Sequence, residues 1–233
     1  MNNQALEHWT PVIGSSFWAM GLGLSLLFVI FIFFIGSKIS SKNREYLLYA
    51  MGAYQLIEVS SFQLYRLFAG EYVIATHLPL QLCSISGILA GLVVFYRKQL
   101  IFEFLFFFGL AGFIHSILTP EFTGGIPSAV EIFDYYVGHS MLFVVPIWLM
   151  RFNGMRLTIH SWWRSFLYLQ LIIVIVSQLN AIIGNGANYM YLAKAPLADS
   201  VFVVGGASYI LVLNLAALLH FIVFYYVALK VFK

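Results

Sequence analysis

The sequence predicts an all-α protein that crosses a membrane repeatedly within one domain spanning residues 1–233. Three observations carry this. Hydrophobic residues make up 62% of the chain and charged residues 9%, against roughly 45–50% and about 25% in soluble domains. Seven apolar runs approach the ~20 residues needed to cross a hydrocarbon core. The basic residues fall almost entirely between alternate runs.

The runs cover residues 15–35, 45–68, 77–96, 100–118, 133–150, 163–183 and 207–229. Helices are the expected form, because a backbone in lipid must satisfy its polar groups within the segment. The first ten residues carry Glu7 and no lysine or arginine. A signal peptide's basic region is missing, so the first run is expected to remain as a span.

Lys38, Lys42 and Arg44 follow the first run, and Arg97 and Lys98 the third. Arg151, Arg156 and Arg164 follow the fifth, and Lys230 and Lys233 the last. Only Arg66 and Lys194 fall on the other side. The positive-inside rule then predicts an N-terminus outside and a C-terminus in the cytoplasm. The net charge of +3 comes from scattered residues rather than a basic patch, so no nucleic-acid partner is expected. The opposite connections, residues 120–127 and 184–196, combine turn chemistry with aromatic residues. They are expected to fold back over the bundle.

Ionisable and polar groups are costly inside spans and often mark function. On the predicted topology, Glu58 and Arg66 of run two, His77, Gln81 and Cys83 of run three, and His115 of run four share the outer half. Asp134 and His139 of run five and Gln178 and Asn180 of run six join them. Glu103, near Lys98, and His220 lie deeper; Glu103 is expected to answer Lys98, and His220 to be structural.

Each candidate has a bland counterpart. Cys83 shares a helix face with Ser86, Gly87, Ala90 and Gly91, a small-residue stripe suited to helix packing. Glu58 and Arg66 are two turns apart, too far to pair directly along one helix. Arg66 either snorkels to headgroups or grips a phosphate, and His77, at the interface, reads first as a solvated cap. Tyr135 and Tyr136 precede His139 by four and three residues, so either is placed to orient its ring. No two ligands share a helix face at metal-binding spacing, and a single cysteine excludes a disulfide within the chain; no metal or cofactor is expected. The last run has no lysine before Lys230, which excludes a retinal protein.

Several short pieces, in order, resemble the YwaF-type bacterial integral membrane proteins. They are His77-Leu78-Pro79-Leu80-Gln81-Leu82-Cys83, Phe108-Gly109-Leu110-Ala111-Gly112 and Leu118-Thr119-Pro120-Glu121. Tyr135-Tyr136-Val137-Gly138-His139-Ser140 and Asn188-Tyr189-Met190-Tyr191, with Pro196 beyond, complete the set. That family is distantly similar to an animal acyltransferase that makes ether phospholipids without coenzyme A. The resemblance implies that Cys83 is a nucleophile.

The expected function is a membrane-embedded transacylase acting on phospholipid or another lipid near the outer face of the cell membrane. Cys83 would form a thioester, with His139 the first candidate base and His115 the second. Gln81 would donate to the oxyanion, Arg66 would hold a headgroup phosphate, and Glu58 and His77 complete the substrate-binding candidates. The alternative is a non-enzymatic binding or transport protein, with the same polar groups lining a pocket. The sequence leaves the oligomeric state open.

Overall fold

The computed structural model describes residues 8–123, 125–195 and 208–232. Pro196, the first residue of the seventh run and Lys233 lie outside them. Among the described residues, eight α-helices make up the fold. They are α1 Ser16–Lys38, α2 Ser41–Phe68, α3 Ile74–His77, α4 Leu82–Tyr96, α5 Gln99–Leu118, α6 Ala129–Phe152, α7 Ser161–Ile183 and α8 Tyr209–Val231. Local chemistry sets several starts. The Ser15 and Ser40 hydroxyls accept from Trp18 N–H and Asn43 N–H, and Ser128 forms a reciprocal capping box with Glu131.

The expectation of seven spans is corrected. Five helices, α1, α5, α6, α7 and α8, are long and apolar enough to cross a membrane. The second run forms a helix of 28 residues, but Gln55, Glu58, Ser60, Ser61 and Gln63 make its middle too polar. The third run does not begin at His77. Helix α3 stops there, Pro79 sits inside a tight turn closed by Leu80 N–H on Leu78 C=O at 2.8 Å, and α4 restarts at Leu82. Its 15 residues rise ~22 Å, short of the ~30 Å hydrocarbon core. Such a break is tolerated where protein covers it or a cavity borders it.

Close helix approaches build the main body from α1, α2, α4, α5 and α6. A Cβ at Gly21 would lie 2.1 Å from the Tyr136 ring, and one at Gly91 would lie 2.3 Å from Leu56. The stripe below Cys83 thus packs α4 on α2, as its spacing suggested. In α6, Pro146 has no N–H to give to the carbonyl four residues back. That carbonyl belongs to Leu142, and Gly109 abuts it so tightly that a Cβ would come within 2.7 Å of the oxygen. Around Gly109, at Leu105–Gly109, α5 widens into a π-helical turn.

The basic connections meet at one end. Arg97 pairs with Glu45, which also accepts from Asn153 at 2.5 Å. Glu103 is fully buried and pairs with Arg164, not Lys98, while also accepting from Gln99 at 2.8 Å. Facing Arg164 across the helix interface satisfies the buried carboxylate more completely than a neighbour on its own surface. At the other end, His8–Trp9 pairs antiparallel with Phe122–Thr123, and Trp9 packs edge-on against Phe17 at 4.8 Å. The aromatic connections do fold back over the helices.

Helices α7 and α8 pack on one another and flank the main body. Near the basic end they are tied to α5 through Arg164 and through Phe221 against Phe107, with ring centroids 4.9 Å apart. Between this pair and the main body lies a cavity.

Candidate functional site

The cavity has a volume of about 490 Å³, within the range of small-molecule sites. Cys83, Gln81, Glu58, His115 and His139 all line it. Four separate helices and the turn before α4 thus bring five of the seven sequence candidates together. Arg66 and His77 lie elsewhere. Arg66 pairs with Glu71 at 2.6 Å, just beyond its own helix, and lies over the Phe62 ring. His77 is buried, and its Nδ1 accepts the Val73 N–H at 2.8 Å.

Cys83 occupies the first turn of α4. The first in-helix bond there runs from Ile85 N–H to Gln81 C=O at 3.0 Å. The amides of Leu82, Cys83 and Ser84 therefore precede the ladder, where helix N–H groups lack in-helix acceptors. No side chain caps this terminus. A thiol in such a place feels the positive end of the helix dipole. Gly112 makes room for it: a Cβ at that position would lie 3.2 Å from the sulfur. The Ser116 hydroxyl sits 3.4 Å from the thiol.

His139 lines the same cavity as the thiol and lies near enough to interact with it electrostatically. Its Nδ1 is 2.8 Å from the Tyr135 carbonyl oxygen one turn earlier. A carbonyl only accepts, so Nδ1 carries a proton, and in the neutral ring Nε2 is the bare nitrogen. The Tyr135 ring also packs against the imidazole at a tilt of 36°, with centroids 4.2 Å apart. Gly138 admits the Glu58 carboxyl beside it, 3.7 Å from where a Cβ would stand. Asp134 accepts from Tyr54 at 2.9 Å.

The turn at Tyr189–Tyr191 closes one side of the cavity. Asn180 on α7 holds Tyr189 by both backbone groups: Nδ2 donates to its C=O at 3.0 Å, and Oδ1 accepts its N–H at 2.9 Å. The Tyr189 hydroxyl accepts the Leu78 N–H at 2.8 Å and donates to the Ile74 C=O at 2.5 Å. It thereby splints the break before α4. Gln81 Oε1 accepts the Met190 N–H at 2.8 Å, leaving the Gln81 amide NH2 as that side chain's remaining donor. Tyr191 lines the cavity, and burial together with nearby Glu121 pushes its phenol above the ordinary range.

The sequence reading missed three parts. Ser116 carries no motif signal. The orienting group for His139 is the backbone of Tyr135, and only the four-residue spacing hinted at it. His220, expected to be structural, lines the cavity with its ring centroid 5.3 Å from that of His115. Among the described residues, no group of three or more His, Cys, Asp or Glu side chains is arranged to hold a metal ion.

Five long apolar helices define a multi-pass integral membrane protein, and four of them, with α2 and α4, surround a cavity walled by a cysteine, three histidines and two glutamates. The chain belongs to the TMEM164 family, whose model matches residues 6–226. No curated protein and no solved structure gives a significant match.

Proposed function

We propose that this protein is a cysteine-dependent transacylase that takes an acyl group from a phospholipid and passes it on to another lipid. The observation that supports this most is that Cys83 and His139 line one cavity, with Nδ1 of His139 tied to the Tyr135 carbonyl. The likeness of its motifs to YwaF-type proteins, and through them to an animal ether-phospholipid acyltransferase, points the same way. A role in binding or transport alone leaves a base-oriented thiol unexplained.

In this reading His139 Nε2 takes the thiol proton as Cys83 sulfur attacks the ester carbonyl of the donor. The developing oxyanion lies against the free amides of the α4 first turn, with the Gln81 NH2 as a side-chain donor. The C–O bond breaks, His139 protonates the leaving lyso-lipid oxygen, and the acyl group remains as a thioester on Cys83. Glu58 faces the substrate from α2. Arg66, outside the cavity but over the ring of Phe62, which lines it, retains its candidate role as a headgroup contact, and His77 supports the turn that presents Cys83.

The cavity wall includes Glu58 and Glu121 and, among the described residues, no lysine or arginine. A coenzyme A donor would bring several phosphates with no cation to meet them, which favours a phospholipid donor. The ten-to-two distribution of basic residues supports a cytoplasmic basic end, with the site toward the exterior.

The test is lipid profiling of cells expressing the wild type, Cys83→Ala or Cys83→Ser at matched levels. An acyl redistribution seen only with the wild type is expected. Identical profiles for all three would refute the proposal.

A further inference from the structure

Three hydroxyls near the site are committed to their own backbone. Ser86 donates to the Leu82 carbonyl at 2.7 Å, Ser140 to the Tyr136 carbonyl at 2.6 Å and Thr119 to the His115 carbonyl at 2.9 Å. This return to the carbonyl four residues back is the common choice for a hydroxyl on a helix. Ser116 on α5 departs from it. Among the described residues its hydroxyl has the Cys83 sulfur as its partner, 3.4 Å away across the gap to α4. One turn earlier on the same face lies Gly112, where a Cβ would stand 3.2 Å from that sulfur. Helix α5 thus admits the sulfur at Gly112 and meets it with a hydroxyl at Ser116.

Tyr135 ties this arrangement to the histidine. Its hydroxyl donates to the Ser116 carbonyl at 3.2 Å, and its own carbonyl accepts from His139 Nδ1 at 2.8 Å. One residue therefore braces α5 against α6, with Ser116 and His139 both on the wall of the cavity that holds Cys83.

Charge gives the contact its importance. The ionisable groups that share the cavity with Cys83 include Glu58 from α2, His115 from α5, His139 from α6 and His220 from α8, with Glu121 and Tyr191 from the connecting segments. Among the described residues, no lysine or arginine lines it. A thiolate formed there has no permanent cation to offset it and depends on neutral donors. The first-turn amides of α4 are one source. The Ser116 O–H is another.

We propose that Ser116 is a further catalytic residue of this site, its hydroxyl donating to the Cys83 sulfur and holding it as the thiolate. This deepens the transacylase reading and rests on it for the use made of the thiolate. While the thiol keeps its proton, either atom can donate. Once that proton has passed to His139 Nε2, the sulfur only accepts, and the serine O–H turns to it. As the S–C bond to the acyl group forms, the sulfur lone pair enters that bond and the contact weakens. It strengthens again when the thioester breaks and the sulfur leaves with its electron pair. Ser116 keeps its own proton throughout and forms no covalent bond.

The contact is tested on the full-length protein in detergent, without lipid substrate. Cys83 is the only cysteine in the chain, so iodoacetamide incorporation reports on it alone. The alkylation rate is followed against pH for the wild type, Ser116→Ala and Ser116→Thr, with thermal unfolding confirming that each is folded. The midpoint for Ser116→Ala should lie about one pH unit above that of the wild type, a thiolate fraction about tenfold smaller below the midpoint, on the scale of one hydrogen bond to a charged group. The plateau at high pH should not fall, since a more basic thiolate is no weaker a nucleophile. Ser116→Thr retains the hydroxyl and should retain the wild-type midpoint. An unmoved midpoint in Ser116→Ala, or an equal shift in both variants, would overturn the proposal. A rate lowered by the same factor at every pH would overturn it too, since altered packing predicts that pattern. In a second arm the same proteins meet vesicles of acyl-labelled phosphatidylethanolamine, and labelled thioester on Cys83 should form about tenfold more slowly near pH 7 in Ser116→Ala. A shifted midpoint with no thioester in the wild type would overturn the transacylase reading and the catalytic role of Ser116, while the hydrogen bond to the thiolate would stand.

Discussion

His139 donates its Nδ1–H to the Tyr135 carbonyl oxygen at 2.8 Å, and the same ring shares the cavity wall with the Cys83 thiol. The tautomer is thus set by backbone one helical turn away, without a carboxylate partner at Nδ1. Because α6 is a regular helix here, the ring is held as rigidly as the helix itself. Replacing His139 by Gln should slow alkylation of Cys83 by iodoacetamide and lower any acyl transfer about 10²–10⁴-fold, the usual scale for a positioned base. An unchanged alkylation rate would show that the imidazole does not activate the thiol.

Gly112 faces the sulfur where a Cβ would stand 3.2 Å away. Gly112→Ala should push the thiol off its line to His139 while leaving the fold intact. A displacement approaching 1 Å at a reacting group costs about 10²-fold, so a loss between tenfold and hundredfold in turnover is expected, with thermal stability close to wild type. Wild-type turnover would mean that this approach has no part in aligning the thiol.

Tyr189→Phe removes the hydroxyl that accepts from Leu78 and donates to Ile74. Two backbone groups at the helix break lose their partner, at a cost of about 1–3 kcal/mol. Thermal unfolding in detergent should fall accordingly. Hydrogen exchange at Leu78 should rise more than exchange within α6. Uniform exchange across the chain would contradict the splint.

His77 sits just before that break, and burial, helped by the Arg66 charge, holds its pKa below the ordinary 6.5. Its Nδ1 accepts the Val73 N–H at 2.8 Å, which requires that nitrogen unprotonated. The folded state therefore binds this proton less readily than the unfolded state. Stability should be fully present above about pH 6.5 and decline as the pH falls through and below that value. His77→Gln should flatten the decline. A variant with the same acid limb as wild type would place the titrating group elsewhere.

Much of the membrane character was legible in the sequence, because apolar runs and basic asymmetry depend only on residue type. The failures have local causes. The second run looked like a span by length, but its polar residues serve the cavity and remove it from the apolar class. The third run read as one helix through Pro79, because the side-chain pattern gives no sign that Tyr189, 111 residues beyond Leu78, stabilises a break there. Five candidate site residues line one cavity, because polar atoms in apolar helices have few other places to go. Arg66 and His77 did not join them, since Arg66 pairs with Glu71 and His77 with the Val73 N–H, both within the segment Arg66–His77. The Asn-Tyr-Met piece was visible as a motif, yet its role in clamping the turn before Cys83 needed the fold.

The most direct measurement is mass spectrometry of Cys83 after the purified wild-type protein meets vesicles of acyl-labelled phospholipid. The account predicts a labelled acyl group on Cys83 that is released by neutral hydroxylamine, as a thioester is, and strongly reduced in His139→Gln. A wild-type Cys83 that stays unmodified while the labelled phospholipid is turned over would contradict it.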